Sequence, residues 1–292
     1  GISFTEEWNA NFAYGVWVTG NSMNTARGRF GDAGTQTAAL AFGGEIVPGQ
    51  SDATELYNGT AWAELNNLNV GTRQLAGAGN STAALAFGGE TAPEAVTAKT
   101  ESWNGTNWTE VNDLNTARNA LSGMGSNNTA ALAFGGSPTT NATETWNGTN
   151  WTEVNNLNTA RDKMGAAGTS TSGLGFGGQT STATTAATEI WNGTNWTEVN
   201  DLPIATMQIA GAGSSSTSAL AFGGENPGEA STAKTYLWDG TNWSDQNSLN
   251  TARFLLGGAG TQTAALAFGG GDGPLFANTE EWFGDGTLSE NI

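Results

Sequence analysis

A Phe-Gly-Gly tripeptide recurs at Phe42, Phe87, Phe134, Phe176, Phe222 and Phe268, at intervals of 42 to 47 residues. A fixed period in this range restricts a chain to a solenoid, a propeller or an array of like units, each too small to bury its own apolar face. Inside each unit the local signals are strands and turns. Residues 129–134 form a small apolar run closed by Gly135-Gly136, as a buried strand would. Residues 142–146 and 151–154 flank Asn147-Gly148, and Asn-Gly between strand-like runs predicts a hairpin of type I′, in which both residues take positive φ. A fourth segment follows Thr-Ala-Arg, for example at 119–123, and no window shows helical periodicity. Four short strands per unit, six times over, predict an all-β, six-bladed β-propeller of four-stranded antiparallel blades, forming one domain over 1–292.

The order of the marks narrows the class. The double glycine ends the second strand, an aromatic sits in the third, and a Trp opens the fourth; that order resembles the kelch repeat over nearly the whole chain. The WD40 repeat fits badly, because the chain has no His and its one Trp-Asp is Trp238-Asp239. The wording Trp-Asn-Gly-Thr-Asn-Trp, as at 103–108, is also similar to kelch-like repeats of phage structural proteins. That resemblance implies a virion or extracellular setting and assembly into a larger particle. Kelch-like copper oxidases need His ligands and a Tyr joined to Cys, so their activity does not carry over to a chain without His or Cys.

The ends of the chain depart from the pattern. Thr279-Glu280-Glu281-Trp282 reads as a third strand with no fourth after it, and Gly15–Val18, with Trp17, reads as a fourth strand without a unit. The strand at Tyr14–Val18 is therefore predicted to complete the last blade and close the ring. A second Thr-Glu-Glu-Trp at Thr5–Trp8 is the competing candidate beside Thr279–Trp282.

Two kinds of residue repeat with the frame. Trp pairs such as Trp103 with Trp108 fall on one sheet face, whether as diagonal neighbours across a two-residue loop or direct partners across a four-residue one, and are expected to pack between blades. Arg27, Arg118, Arg161 and Arg253 follow Thr-Ala, Arg73 is displaced by one residue, and Thr206 stands where an Arg is expected. Glu55, Glu101, Glu144, Glu189 and Glu280 lie two residues before the aromatic, and Glu64, Glu110, Glu153 and Glu198 two after the second Trp. This placement predicts structural Arg–Glu pairs. A calcium-binding carboxylate ring is the alternative, with no compact ligand loop to favour it. Asn104 and Asn107 match the glycosylation pattern, but turn chemistry accounts for them.

The balance of 27 acids against 9 Lys and Arg gives a net charge of −18, which disfavours nucleic acid and anionic membranes as partners. No apolar run is long enough to insert in a membrane. Without His or Cys the chain lacks the commonest general base, thiol nucleophiles and the usual zinc ligands, so no catalytic residue, metal or cofactor is assigned. Function is expected where the units differ, in the loops between second and third strands at 45–53, 90–98, 137–141, 179–187, 225–233 and 271–278. The candidate ligand-binding residues are Glu45, Glu90 and Glu225, each directly after a double glycine, with Asp272 and Phe276 in the last loop. The leading expectation is a non-enzymatic binding or structural module contacting a glycan or protein. A carboxylate-based glycan hydrolase and a pure assembly scaffold are the alternatives.

Overall fold

The computed structural model describes residues 15–228 and 230–284. The chain folds as six four-stranded antiparallel sheets, the blades of a β-propeller. Blade 1 comprises Gly31–Thr35, Ala38–Phe42, Thr54–Tyr57 and Trp62–Leu65. Blades 2, 3, 4 and 5 repeat this order from Ala76, Ser122, Gly165 and Ala210, and their innermost strands neighbour one another in turn. Blade 6 takes Gly257–Gly260, Ala264–Phe268 and Thr279–Phe283 from the C-terminal end and Val16–Gly20 from the N-terminal end. In that blade Trp17 pairs across from Trp282, so the N-terminal strand closes the ring as expected. The competing segment at Thr5–Trp8 lies outside the described residues.

Three sets of bonds join each blade to the next. The fourth-strand Trp reaches back to the preceding blade, where its Nε1 donates to a third-strand Thr hydroxyl. The pairs are Trp17–Thr235, Trp62–Thr279, Trp108–Thr54, Trp151–Thr100, Trp196–Thr143 and Trp243–Thr188, at 2.9–3.1 Å. The same indoles pack on the Phe of the Phe-Gly-Gly, with centroids 4.8 Å apart for Phe42–Trp108 and 5.1 Å for Phe268–Trp62. Edge or tilted contacts of this kind add to the burial of large apolar side chains. The double glycine supplies the third set. Gly135 and Gly136 both take positive φ, turning the chain so that the Gly136 amide donates to Arg161 O of the next blade at 2.9 Å. The equivalent bond from Gly270 to Arg27 O, also 2.9 Å, spans the closing seam.

Three local expectations are corrected. Of the two loop lengths the Trp spacing allowed, the Asn-Gly hairpins take the four-residue one, with Trp103 directly opposite Trp108, and it is the type I′ turn that fails. Of the two residues Gly105 alone has positive φ, and Asn104 uses Oδ1 to accept the amides of Thr106 and Asn107 at 2.9 Å. The Asn side chain thus reinforces a backbone bond from Asn104 N to Asn107 O at 3.3 Å, and the turn is not of type I′. The innermost strand of blade 3 starts at Ser122, not at Asn119, because Ala120 has φ 49° and breaks the strand. The second-to-third connections are partly ordered into a second tier: Glu45 bridges Gly28, Glu90 pairs with Arg73, Ser137 bridges Asn119, Gln179 bridges Asp162, Glu225 bridges Met207 and Gly271 bridges Phe254.

The repeated Arg and Glu form the expected pairs, within one blade. Arg27–Glu55, Arg118–Glu144, Arg161–Glu189 and Arg253–Glu280 are all buried. In blade 4, Arg161 Nη1 donates to Gly177 O at 2.8 Å and Ala187 O at 2.6 Å, and Nη2 to Glu189 Oε1 at 2.8 Å. The other Glu189 oxygen accepts the Asn158 amide at 2.7 Å. Burial pulls the Arg161 guanidinium below its ordinary pKa, against the opposing pull of Glu189. The corresponding positions of blade 5 hold Pro203, Thr206 and Tyr236, so Asn, Arg and Glu are replaced together. In blade 2 the Arg position is Thr72; Arg73 turns to Glu90, and Glu101 accepts from Asn69 instead.

Candidate functional site at the axial mouth

Each blade contributes to the axis one residue of positive φ just before its innermost strand: Arg29, Gln74, Ala120, Lys163, Gln208 and Leu255. Backbone bonds link five of the six steps around the ring, among them Gln74 N to Arg29 O at 2.7 Å, Ala120 N to Gln74 O at 2.9 Å, and Arg29 N to Leu255 O at 3.2 Å across the seam, leaving the step from Gln208 to Leu255 without one. The next residue in each blade is apolar: Phe30, Leu75, Leu121, Met164, Ile209 and Leu256. Together these two rings line a mouth of about 400 Å³ on the variable-loop face, joined by Asn119, Ser137 and Asp162. The apolar ring also borders an axial channel of about 210 Å³ walled mainly by glycine and alanine of the innermost strands.

The mouth is uneven around its rim. Blade 6 presents Leu255 and Leu256, whereas blades 3 to 5 present Asn119, Asp162, Lys163 and Gln208. Asn119 Nδ2 donates to Glu90 Oε2 at 2.9 Å, and Lys163 Nζ to Gln179 Oε1 at 3.0 Å. Burial raises the Asp162 carboxyl, with Lys163 and Thr139 acting against it. Arg29 pairs with Glu45 at 3.0 Å, and Arg73 with Glu90 at 2.6 Å.

The candidate residues read from sequence are distributed by this arrangement. Glu45, Glu90 and Glu225 occupy equivalent positions of blades 1, 2 and 5, spread around the ring, and the first two hold arginines. Glu225 is buried, its backbone bridged to Met207. Asp272 is exposed, and Phe276 is half-buried with its amide on Gly270 O at 2.6 Å. Asn119, Asp162, Lys163 and Gln208 were not singled out by sequence. Each lies one or two positions after the Arg site, and the signal available was that unlike residues succeed one another there from unit to unit.

In the channel stands a single carboxyl, Asp32, where other blades carry Gly77, Gly123, Ala166, Gly211 and Gly258. A Cβ at Gly77 would lie 2.1 Å from Asp32 O, which shows how closely these strands approach. Asp32 fits at the closing seam, where its Oδ2 accepts the Gly258 amide at 2.9 Å. Its side chain is hemmed in by protein yet partly open to the channel, and burial pushes its pKa up to about 7. A carboxyl raised in the folded state penalises that state once ionised. The native fold is thus unpenalised below the ordinary carboxyl range, and loses stability as pH rises from about 4 through about 7. Asp32→Asn keeps the acceptor and removes the charge. It is expected to flatten this part of the pH profile and to gain about 2–3 kcal/mol at pH 8, with channel water screening part of the full effect. Denaturant unfolding of both proteins at pH 4 and pH 8 measures it, and equal differences at the two pH values would contradict it.

Fold and mouth together define a β-propeller with an axial cavity on its variable-loop face. Compared with known proteins, the chain matches no family model and no curated sequence.

Proposed function

We propose that the chain is a non-enzymatic binding module whose variable-loop face engages a glycan or a protein, within a virion surface or adhesive assembly. One observation carries this reading. The polar groups that repeat are engaged in building the ring, whereas the non-repeated ones, Asn119, Asp162, Lys163 and Gln208, gather round the axial mouth. A rigid frame with unlike side chains around one concavity is the usual arrangement of a recognition surface. Within the propellers we assign the repeat to the kelch-like type, on its double glycine, third-strand aromatic and fourth-strand Trp. The virion setting rests on the Trp-Asn-Gly-Thr-Asn-Trp wording. A carboxylate hydrolase ranks behind binding, because it needs two carboxyls at one place, and while Asp162 lines the mouth, the neighbouring Glu45 and Glu90 are held by Arg29 and Arg73.

The test is a broad glycan and protein-partner screen of the purified chain, with calcium and with chelator. It is repeated after the short 137–141 connection replaces both 45–53 and 90–98. Selective binding that is lost on loop replacement, with the melting temperature retained, is the expected result. Binding indifferent to the replacement, or no binding by a folded and multimerising chain, would move the function off this face and towards a scaffold.

A further inference from the structure

Among the described residues, the buried polar atoms of the mouth that lack a partner are all oxygens. Asn119 Oδ1, Asp162 Oδ1 and Gln208 Oε1 are buried oxygens without a partner, and all three residues line the cavity. Asp162 is 7% and Asn119 9% exposed. The donation from Asn119 Nδ2 to Glu90 fixes which end of that amide is the free acceptor. Buried oxygens of this kind are uncommon, and each costs free energy until a donor reaches it. Lysine and arginine side chains of the mouth do not serve them, since Lys163 donates to Gln179 and Arg29 pairs with Glu45. All three oxygens are shielded from solvent, although their residues line the cavity. A ligand donor meets Asp162 and Gln208 after a turn about the terminal side-chain bond, which is a soft torsion, whereas the same turn at Asn119 gives up its bond to Glu90.

What donor fits follows from charge and shape. Although the chain carries a net −18, the charges at the mouth balance, Arg29 against Glu45 and Lys163 against Asp162. A balanced site gives a cation little advantage over a neutral donor. The acceptors belong to three successive blades, so one ammonium group would have to serve oxygens spread along an arc, whereas hydroxyls spaced around a ring are spread already. Beside Gln208, in the neighbouring blade 6 and across the axis from blade 3, Leu255 and Leu256 offer an apolar wall, with Phe30 in the apolar ring beneath. We propose that the axial mouth is a site for a neutral, hydroxyl-rich ring, a sugar unit whose hydroxyls donate to Asn119, Asp162 and Gln208 while its C–H face lies on the blade 6 leucines. This rests on the binding reading above and narrows it to one ligand class and one place.

The test titrates the full chain with glucose, galactose and N-acetylglucosamine, and separately with lysinamide as a cationic donor. Amide chemical shifts report the position. Saturable binding of at least one of the sugars, shifting the Ala120 and Lys163 amides, is expected. Asp162→Ala and Gln208→Leu should each weaken it at least tenfold, as sites built on buried polar groups do when a partner is lost. Lys99→Ala, at the outer edge, should leave it unchanged. Gln208 is only half-buried, so its variant keeps the test open if Asp162→Ala fails to fold. Absence of binding by all three sugars, sugar binding indifferent to both mouth variants, or preferential binding of lysinamide would each overturn the proposal. If the broad screen still shows loop-dependent binding, the face-level reading stands while the sugar site falls.

Discussion

Replacing Arg161 by methionine is expected to destabilise the fold by about 3–5 kcal/mol, although the substitution adds no steric bulk. The loss comes from what stays behind. Glu189 is left without its cation at 0% side-chain exposure, and the carbonyls of Gly177 and Ala187 lose their donor. Removing one partner of a buried pair leaves an uncompensated charge, whereas removing both together can be nearly neutral. The chain contains its own version of the second experiment. In blade 5 the positions of Asn158, Arg161 and Glu189 hold Pro203, Thr206 and Tyr236. There Thr206 Oγ1 donates to Ile204 O at 3.0 Å, and Tyr236 is buried beside Trp238 and Trp243. Installing that set in blade 4, as Asn158→Pro with Arg161→Thr and Glu189→Tyr, should recover most of what Arg161→Met loses. Denaturant midpoints at unchanged slope give the comparison. A triple variant no more stable than the single one would mean that the three positions do not act as a unit.

Truncating Trp17 to alanine should cost a similar amount, about 3–5 kcal/mol, as for other buried large aromatics. Trp17 is 7% exposed, lies 5.0 Å from Phe222 and 5.3 Å from Trp282 between ring centroids, and donates to Thr235 at 2.9 Å. It is thus the sixth member of the inter-blade Trp set, carried by a five-residue strand far from the rest of its blade in sequence. Removing 16–20 altogether would bare the edge of Thr279–Phe283, and bare edges recruit strands from other chains. Near-identical blades offer many such strands, so the shortened chain should form concentration-dependent multimers on size exclusion. A monomeric, fully stable product would show that this strand is dispensable for closure.

Much of the ring was legible in the sequence because its determinants recur. Phe42, Phe87 and the four later copies announce the period, the Trp pairs announce paired strands, and Arg161 with Glu189 announces an ion pair. The local expectations that failed did so where a side chain decided the backbone, as Asn104 does by closing a four-residue turn. The mouth was not legible for a different reason. Asn119, Asp162 and Gln208 stand far apart in the chain, and only closure of the ring brings them to one cavity. Asp32 was hidden in the same way, since its partner Gly258 is 226 residues distant.

The ring of positive-φ residues at the mouth has a consequence for how such a protein changes. At that position the backbone does the holding: Gln208 N reaches Lys163 O at 2.8 Å whatever either side chain is, and the six occupants are Arg, Gln, Ala, Lys, Gln and Leu. Shape and chemistry at the axis are thereby uncoupled. Apart from proline and the β-branched residues, which positive φ and the amide bond disfavour, the six letters can be rewritten at little risk to the frame, and the order in which they are read around the axis becomes a short, editable address written on a scaffold that does not itself have to vary.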